Sequence, residues 1–287
     1  MADHQRGARR PGSQRPDRAQ KPDRAQRPDR SERGGRGRGP RPEPVERRST
    51  RSDEPELPED VTGAELDRHV RRDLATLSKD NASAVARHLV MAGRLVDVDA
   101  AAALRHALAA QRRAGRVAVV RETAGLVAYH AGDYELALRE LRTARRMSGS
   151  SEHLPVMADC ERGLGRPERA LTLAAGPEAA RLDRAGQIEL TIVVAGARID
   201  LGQPEAAVVL LQLPELERPP TPETAGRTAR LMSAYSDALG AAGRTDEARR
   251  WLERAAATDP DSSTGAAERL GEGIEVLIDL EDEPDHE

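Results

Sequence analysis

Phenylalanine is absent from this chain of 287 residues, which also has only one Trp (Trp251) and three Tyr. The hydrophobic core must therefore be built from Leu, Val, Ile and Ala. Side chains of this size suit helices that pack closely in pairs, and they exclude a pocket lined by aromatic rings.

Cysteine is almost absent as well, since Cys160 is the single one. One cysteine excludes an internal disulfide and indicates a reducing compartment, and we expect Cys160 to be a buried structural thiol. No signal-peptide segment follows Met1, and no window reaches 18 consecutive apolar residues. Lysine occurs only at Lys21 and Lys79, and the resulting excess of Arg indicates a bacterial genome. These features predict a soluble cytoplasmic protein with no membrane segment.

Charge is distributed unevenly along the chain. Residues 1–51 hold 15 Arg and one Lys against seven acids, a net charge of +9, whereas the whole chain carries −4 and the remainder therefore −13. Residues 1–58 contain few apolar side chains, so they cannot bury enough surface to offset chain entropy. We expect three parts: a disordered basic tail (1–58), a helical repeat domain (59–262), and a short helix with an acidic tail (263–287).

The basic tail offers one candidate for nucleic-acid contact. The stretch Arg-Gly-Gly-Arg-Gly-Arg-Gly resembles the Arg/Gly segments that contact single-stranded nucleic acid, and its charges are Arg33, Arg36 and Arg38. It lacks an aromatic residue for base stacking, so a solvated tail without this function is one alternative. A further alternative is that the basic tail folds back on the acidic body and inhibits it.

A short motif recurs through the rest of the chain. A glycine is followed three residues later by an acid and five residues later by an alanine. The copies are Gly132 to Ala137, Gly165 to Ala170, Gly202 to Ala207 and Gly243 to Ala248. The alanine-to-alanine steps are 33, 37 and 41 residues. Repetition at such a period is typical of stacked helical repeats.

Each position of the motif has a physical reason. Glycine ends a helix in the left-handed conformation without a Cβ penalty. The acid falls in the first turn of the next helix, where the helix dipole favours negative charge. The alanine is small where two helices approach closely. The motif therefore predicts a helix, a tight turn and a second helix.

This pattern resembles the tetratricopeptide repeat family, whose unit is a pair of antiparallel helices of about 34 residues. The best match runs from Gly125 to Ala144, and the resemblance covers residues 80–260. The middle and last copies replace the first-helix glycine with Ala158, Ala195 and Ser236. The resemblance implies an all-α fold, a right-handed α-solenoid of antiparallel helix pairs.

The resemblance also implies a function and a surface. The inner face of such a stack is lined by the first helix of each pair, so the chain would be a non-enzymatic scaffold or adaptor that holds a peptide or helix of a protein partner. The corresponding positions lie three, six and ten residues before the turn glycines. They are Glu122, Leu126, Tyr129, Asp159, Arg162, Ile192, Ile199, Ser233 and Asp237. This mixed apolar and acidic set indicates a partner with apolar and some basic residues.

Two further expectations concern single helices. A helix that begins near Ala82 should stop at Gly93, since glycine commonly ends helices. Residues 206–211 form a continuous apolar run, and their place after Gly202 and Pro204 predicts a helix that is buried on both sides.

Catalytic and metal-binding motifs are lacking. The seven histidines are scattered without an HExxH pair, and the chain has neither a GxxxxGK phosphate loop nor a GxSxG nucleophile elbow. The sequence therefore predicts no enzyme activity, no cofactor, no metal and no small-molecule substrate.

The C-terminal end combines acids with apolar residues. Residues 271–287 hold eight acids and no Lys or Arg, around an apolar group of Ile274, Val276, Leu277, Ile278 and Leu280. This stretch is either a solubilising acidic tail or a segment that docks on a surface, and the sequence leaves both interpretations open.

Overall fold

The computed structural model describes residues 54–271, and these residues form helices, turns and loops without a β-strand. Their α-helices are α1 (Arg68–Leu74), α2 (Lys79–Leu95), α3 (Ala100–Ala114), α4 (Ala118–His130), α5 (Tyr134–Ser148), α6 (Leu154–Gly163), α7 (Pro167–Ala174), α8 (Arg184–Asp200), α9 (Pro204–Leu211), α10 (Ala225–Ala241) and α11 (Thr245–Thr258). Short 3₁₀-helices lie at Ala179–Arg181 and Pro214–Leu216, and a last helical segment covers 266–271. No helix in this part of the chain has the length and apolar character needed to cross a membrane. The all-α prediction is confirmed for the described residues.

The helices pack as consecutive pairs. From α2 to α11, each helix makes its most extensive contact with its pair partner: α2 with α3, α4 with α5, α6 with α7, α8 with α9, and α10 with α11. The last four pairs share one turn geometry, in which Gly132, Gly165, Gly202 and Gly243 have φ between 69° and 76°. The residue after each glycine donates its backbone N–H to the carbonyl oxygen of the residue five positions before it. Asp133 N, for example, donates to Ala128 O at 2.9 Å. This backbone pattern satisfies carbonyl groups at the helix end and explains the recurring glycine.

Small residues let the two helices of a pair approach each other. The motif alanines are buried, and Ala137, Ala170 and Ala207 have no exposed surface. In α10, Ser236 donates to the carbonyl of the fourth motif alanine, Ala248, at 2.7 Å. Within residues 54–271 the buried hydrophobic side chains form five clusters, each shared by a few neighbouring helices.

Successive pairs stack in chain order. α3 packs on α4, α5 on α6, α7 on α8 and α9 on α10, and the first helices α4, α6, α8 and α10 also contact one another in sequence. The extensive helix contacts within residues 54–271 therefore join elements that are close in the chain, as in a repeat protein. This arrangement brings the predicted first-helix residues onto adjacent helices.

Two predictions about single helices are wrong. α2 continues through Gly93 to Leu95, because one glycine costs only about 1 kcal/mol inside a helix and the buried face of α2 outweighs it. α9 is not buried on both sides, since Val209 is 68 % exposed and Leu210 37 %. Only its other face, which carries Ala207, packs into the core.

The packed unit begins earlier in the chain than composition indicates. Arg87 of α2 donates to the carbonyl of Pro58 at 2.8 Å and to that of Val61 at 2.6 Å. Arg113 of α3 forms an ion pair with Glu54 at 2.5 Å. Residues 54–58, which their polar composition assigned to the basic tail, thus lie on α2 and α3.

Three other predictions fall outside the described residues. They are the disorder of the basic tail up to residue 53, its nucleic-acid candidates Arg33, Arg36 and Arg38, and the acidic tail from residue 272 onward.

Candidate functional site

A groove runs between the first helices of neighbouring pairs. Side chains at steps of three and four residues form one stripe along a helix. The stripe on α8 consists of Ala185, Glu189, Ile192, Gly196 and Ile199, and that on α10 of Arg227, Arg230, Ala234 and Asp237. Together with residues of α6 and of the turn before it, the two stripes line two cavities in a row. We call this surface the central groove.

The narrow end of the central groove is a cavity of about 270 Å³ with an apolar floor. Its lining comprises Arg162 of α6, Ile192, Ala195, Gly196, Ile199 and Asp200 of α8, and Ala234 and Asp237 of α10. Its apolar lining residues are two isoleucines and two alanines, and its charged ones are Arg162, Asp200 and Asp237. The cavity lies just below the size range of small-molecule pockets, so it suits a side chain of a peptide better than a metabolite.

The wide end is a polar cavity of about 750 Å³. Its charged lining residues are Glu152, Arg181, Asp183, Glu189, Arg227 and Arg230. Arg230 Nη2 donates to Glu189 Oε1 at 2.5 Å, one helical turn away from the narrow end. Arg227 is half-buried and forms no ion pair with another residue of 54–271, so its charge is open to a ligand.

A line of hydrogen bonds ties the narrow end to α4 and α6. Tyr129 Oη donates to Asp159 Oδ2 at 2.6 Å, and Arg162 donates to Asp159 Oδ1 at 2.9 Å and to Asp200 Oδ2 at 2.8 Å. Burial and the bond to Asp159 raise the pKa of Tyr129 well above its usual value, so its hydroxyl remains a donor. Burial lowers the pKa of Arg162, but the bonds to Asp200 and Asp159 raise it by more. The net pKa is therefore above its usual value, and the guanidinium stays charged. Residues from three helices thus hold one cation in a fixed place.

Gly196 allows Arg162 to lie directly against α8. A Cβ built on Gly196 would be 2.5 Å from Arg162 Cζ and 2.6 Å from Nη1. Any other residue type would therefore push the guanidinium away from the groove edge. The glycine in the middle of α8 serves this close approach, not the end of a helix.

The structure connects six of the nine predicted groove residues. Arg162, Ile192, Ile199 and Asp237 line the narrow end together. Asp159 bonds to Arg162, and Tyr129 joins them through its bond to Asp159.

The other three predicted residues lie elsewhere. Leu126 is half-buried and packs against a core cluster shared by α4, α5 and α6, and it lines neither cavity of the central groove. Glu122 forms an ion pair with His153 at the start of α6. Ser233 is buried, and its hydroxyl accepts a bond from Arg269 Nη1 at 3.2 Å.

Two features of the described residues bear on metal or nucleophile chemistry. Glu122, Glu152 and His153 offer three ligand atoms within 4.8 Å of one another, a donor set that suits a divalent transition metal. Glu152 is exposed, however, and the ion pair between Glu122 and His153 accounts for the contact of the other two. Cys160 is fully buried, and burial raises its pKa to about 12, so the thiol stays protonated and is a poor nucleophile.

Sequence reasoning missed Gly196, Asp200, Ala234 and the wide end of the groove. Counting back ten residues from the turn glycines reaches only the middle of α8 and α10, at Ile192 and Ser233, whereas the wide end lies at the N-terminal turns of these helices. The stripe on α8 is visible in the sequence as an amphipathic pattern. The stripe on α10 that completes the groove becomes evident only when α10 is known to lie opposite α8.

A scan against protein-family models found no match to this chain, and a search of the curated proteins found none either. The candidate site is therefore defined by its geometry.

Proposed function

We propose that the stacked helices are a non-enzymatic protein-interaction scaffold of the tetratricopeptide type, a right-handed solenoid whose central groove holds a peptide or helix of a partner. The observation that carries the proposal is the half-buried pair Ile192 and Ile199, which lies open between charged edges at the contact of α6, α8 and α10. Apolar side chains with a charged rim are the usual composition of a protein-binding surface.

The two ends of the groove favour different charges on the partner. Asp159, Asp200 and Asp237 stand against Arg162 and Arg269 at the narrow end, and the excess of one acid favours a basic residue there. Arg227 favours an acidic residue at the wide end. From Ala185 to Ile199 the groove extends over about 21 Å, which about 14 helical or six extended residues would cover. A partner segment with an apolar centre and opposite charges at its ends therefore fits in one direction.

The test is affinity capture from a native lysate with full-length protein and two matched variants. Ile199→Glu places a charge on the groove floor and should abolish capture of the specific partner. Val98→Glu, at an 83 % exposed valine between α2 and α3, is the control and should leave capture unchanged. Circular dichroism establishes that both variants are folded. Equal capture by the wild type and the folded Ile199→Glu variant would refute the groove assignment.

Gly196→Ala is a milder probe of the same site. The added methyl group displaces the flexible end of Arg162, while alanine is the better helix former by about 1 kcal/mol. We therefore expect unchanged or slightly higher stability together with weaker capture. Gly226→Ala, in α10 with no atom within 4 Å of its Cβ position, is the matched control and should leave capture intact.

The composition of residues 1–51 supports a second candidate, an RNA-associated protein that uses its basic tail. Nuclease treatment before capture separates the two functions, because groove-bound protein partners survive it. If about six to nine phosphates of a single strand are neutralised, the log–log salt slope of binding should be roughly −4 to −6. Arg33→Gln, Arg36→Gln and Arg38→Gln together should reduce that slope by about 2.

A further inference from the structure

The described chain ends at the edge of the central groove. Arg269, in the last helical segment, donates from Nη2 to Asp237 Oδ1 at 2.5 Å, and Asp237 lines the narrow end. Ala266 of the same segment is buried, and Leu270 packs against the core cluster shared by α8, α9, α10 and α11. These contacts fix the exit of the chain at Gly271, two residues beyond Arg269.

The residues that follow offer apolar side chains for the floor of the groove and acids for its wide end, and they hold no basic residue for the narrow end. Residues 274–280 contain five apolar side chains, Ile274, Val276, Leu277, Ile278 and Leu280. Asp279 and Glu281 lie at the end of this group, and no Lys or Arg occurs from residue 271 to the end of the sequence. Glu272 and Glu275 lie before and within the apolar group, so the segment is an apolar stretch with acids on both sides, and more of them follow it than precede it.

The length of the segment and the acids at its far end agree with occupation of the groove in one direction. From Asp237 to Arg227 the stripe on α10 covers about 15 Å. Ten residues, 272–281, span about 15 Å at the rise of a helix and about 33 Å when extended, so the segment reaches the wide end in either form. The apolar residues would then lie over Ile192 and Ile199, and the acids would arrive at Arg227, which has no ion-pair partner within 54–271.

We propose that residues 274–280 occupy the central groove of their own chain and compete there with the partner. The inference rests on the proposed function of the groove and adds its regulation. A tether of a few residues gives an effective concentration in the millimolar range, so a separate partner must bind the groove tightly enough to displace the segment. The same segment of a second copy of the chain is present at a lower concentration than the tethered one, so it is disfavoured as the occupant of the groove.

Cysteine pairs in the full-length chain test the contact directly, because the native thiol of Cys160 is buried. Ile192→Cys combined with Ile278→Cys should form a disulfide within one chain under mild oxidation, seen as a linked monomer on a non-reducing gel and by peptide mass. Val98→Cys combined with Ile278→Cys is the control and should cross-link at least about tenfold less. A linked dimer would show that a second copy fills the groove, and equal linkage in both pairs would show no preference for it; either result overturns the proposal.

A second variant links the contact to partner binding. Leu277→Glu with Ile278→Glu should release the segment, raise the apparent affinity for the captured partner roughly tenfold or more, and reduce amide protection in α8 and α10 of the free protein. Asp285→Asn, beyond the apolar group, is the control and should change neither. If Ile199→Glu abolishes capture while the segment variant has no effect, the groove function stands and the self-occupation is refuted. If neither variant affects capture, both are refuted.

Discussion

Among single residues, glycine has opposite consequences at two positions of this fold. Gly202 has φ 70° and Gly93 lies inside α2, and neither has an atom within 4 Å of its Cβ position. Gly202→Ala should lower the free energy of unfolding by about 1–2 kcal/mol through backbone strain alone. Gly93→Ala should raise it by about 0.5–1 kcal/mol through helix propensity. Urea unfolding measures both, and a shift of the same sign in the two variants would contradict the left-handed role of Gly202.

Two buried histidines form an acid-sensitive contact between α2 and α3. The Nδ1 atoms of His88 and His106 are 3.0 Å apart, and Glu54 Oε2 lies 3.8 Å from His88 Nε2. Burial and the neighbouring His106 lower the pKa of His88 to about 4, and burial lowers the pKa of His106 as well. The unfolded chain takes up protons near the ordinary histidine pKa of 6.5, while the folded chain does not. Stability is therefore complete above about pH 6.5 and is lost as the pH falls toward about 4.

This contact predicts a measurable pH dependence. Between about pH 7.5 and pH 5 the free energy of unfolding should fall by about 2 kcal/mol through His88 alone. His88→Leu should flatten that dependence, whereas His130→Leu, at an exposed histidine of α4, should preserve it. Denaturant titrations at the two pH values provide the test, and an unchanged slope in His88→Leu would argue against the buried neutral pair.

Within a helix pair, the close approach of two helices depends on the motif alanine. Ala207 of α9 is fully buried, and its neighbour Ala206 is exposed. Ala207→Leu should lower the free energy of unfolding by about 1–3 kcal/mol through overpacking, and Ala206→Leu should change it by less than about 0.5 kcal/mol. Thermal and urea unfolding of the two variants compare the same chemical change on opposite faces. A neutral Ala207→Leu would contradict the close-contact role.

The helix pairs were predictable from sequence because glycine and alanine act locally, one through φ and the other through size. The end of α2 and the exposed face of α9 were not, since each depends on what packs against the helix. Four residues that line the narrow end, Arg162, Ile192, Ile199 and Asp237, are among the positions selected from the sequence, and their role in holding a partner stays a prediction. The wide end was not predicted, because the position of α10 along α8 is set across the long connection between α9 and α10, which carries no repeat signal.

In the whole described unit, stability should be regional, because the extensive contacts join neighbouring pairs and the core consists of separate clusters. Leu89→Ala, at a buried position of α2, should cost about 2–5 kcal/mol. We expect amide protection to fall in α2, α3 and α4 and to persist in α10 and α11. Leu239→Ala in α10 should give the reverse pattern, with protection lost in α10 and α11 and kept in α2, α3 and α4. Hydrogen exchange with mass spectrometry measures both patterns. A uniform loss of protection in either variant would show instead that the stack unfolds as one body.

The rate at which the buried thiol of Cys160 is alkylated reports how often this part of the native protein opens. The helix of this cysteine, α6, also carries Asp159 and Arg162, so the thiol meets an alkylating reagent only when the wall of the groove opens. The labelling rate of the native protein therefore measures the frequency of those openings without an engineered labelling site. A ligand that binds across α6 and α8 should slow the labelling, and the ratio of the rates without and with ligand, at a known free ligand concentration, would give its binding free energy without any substitution in the protein.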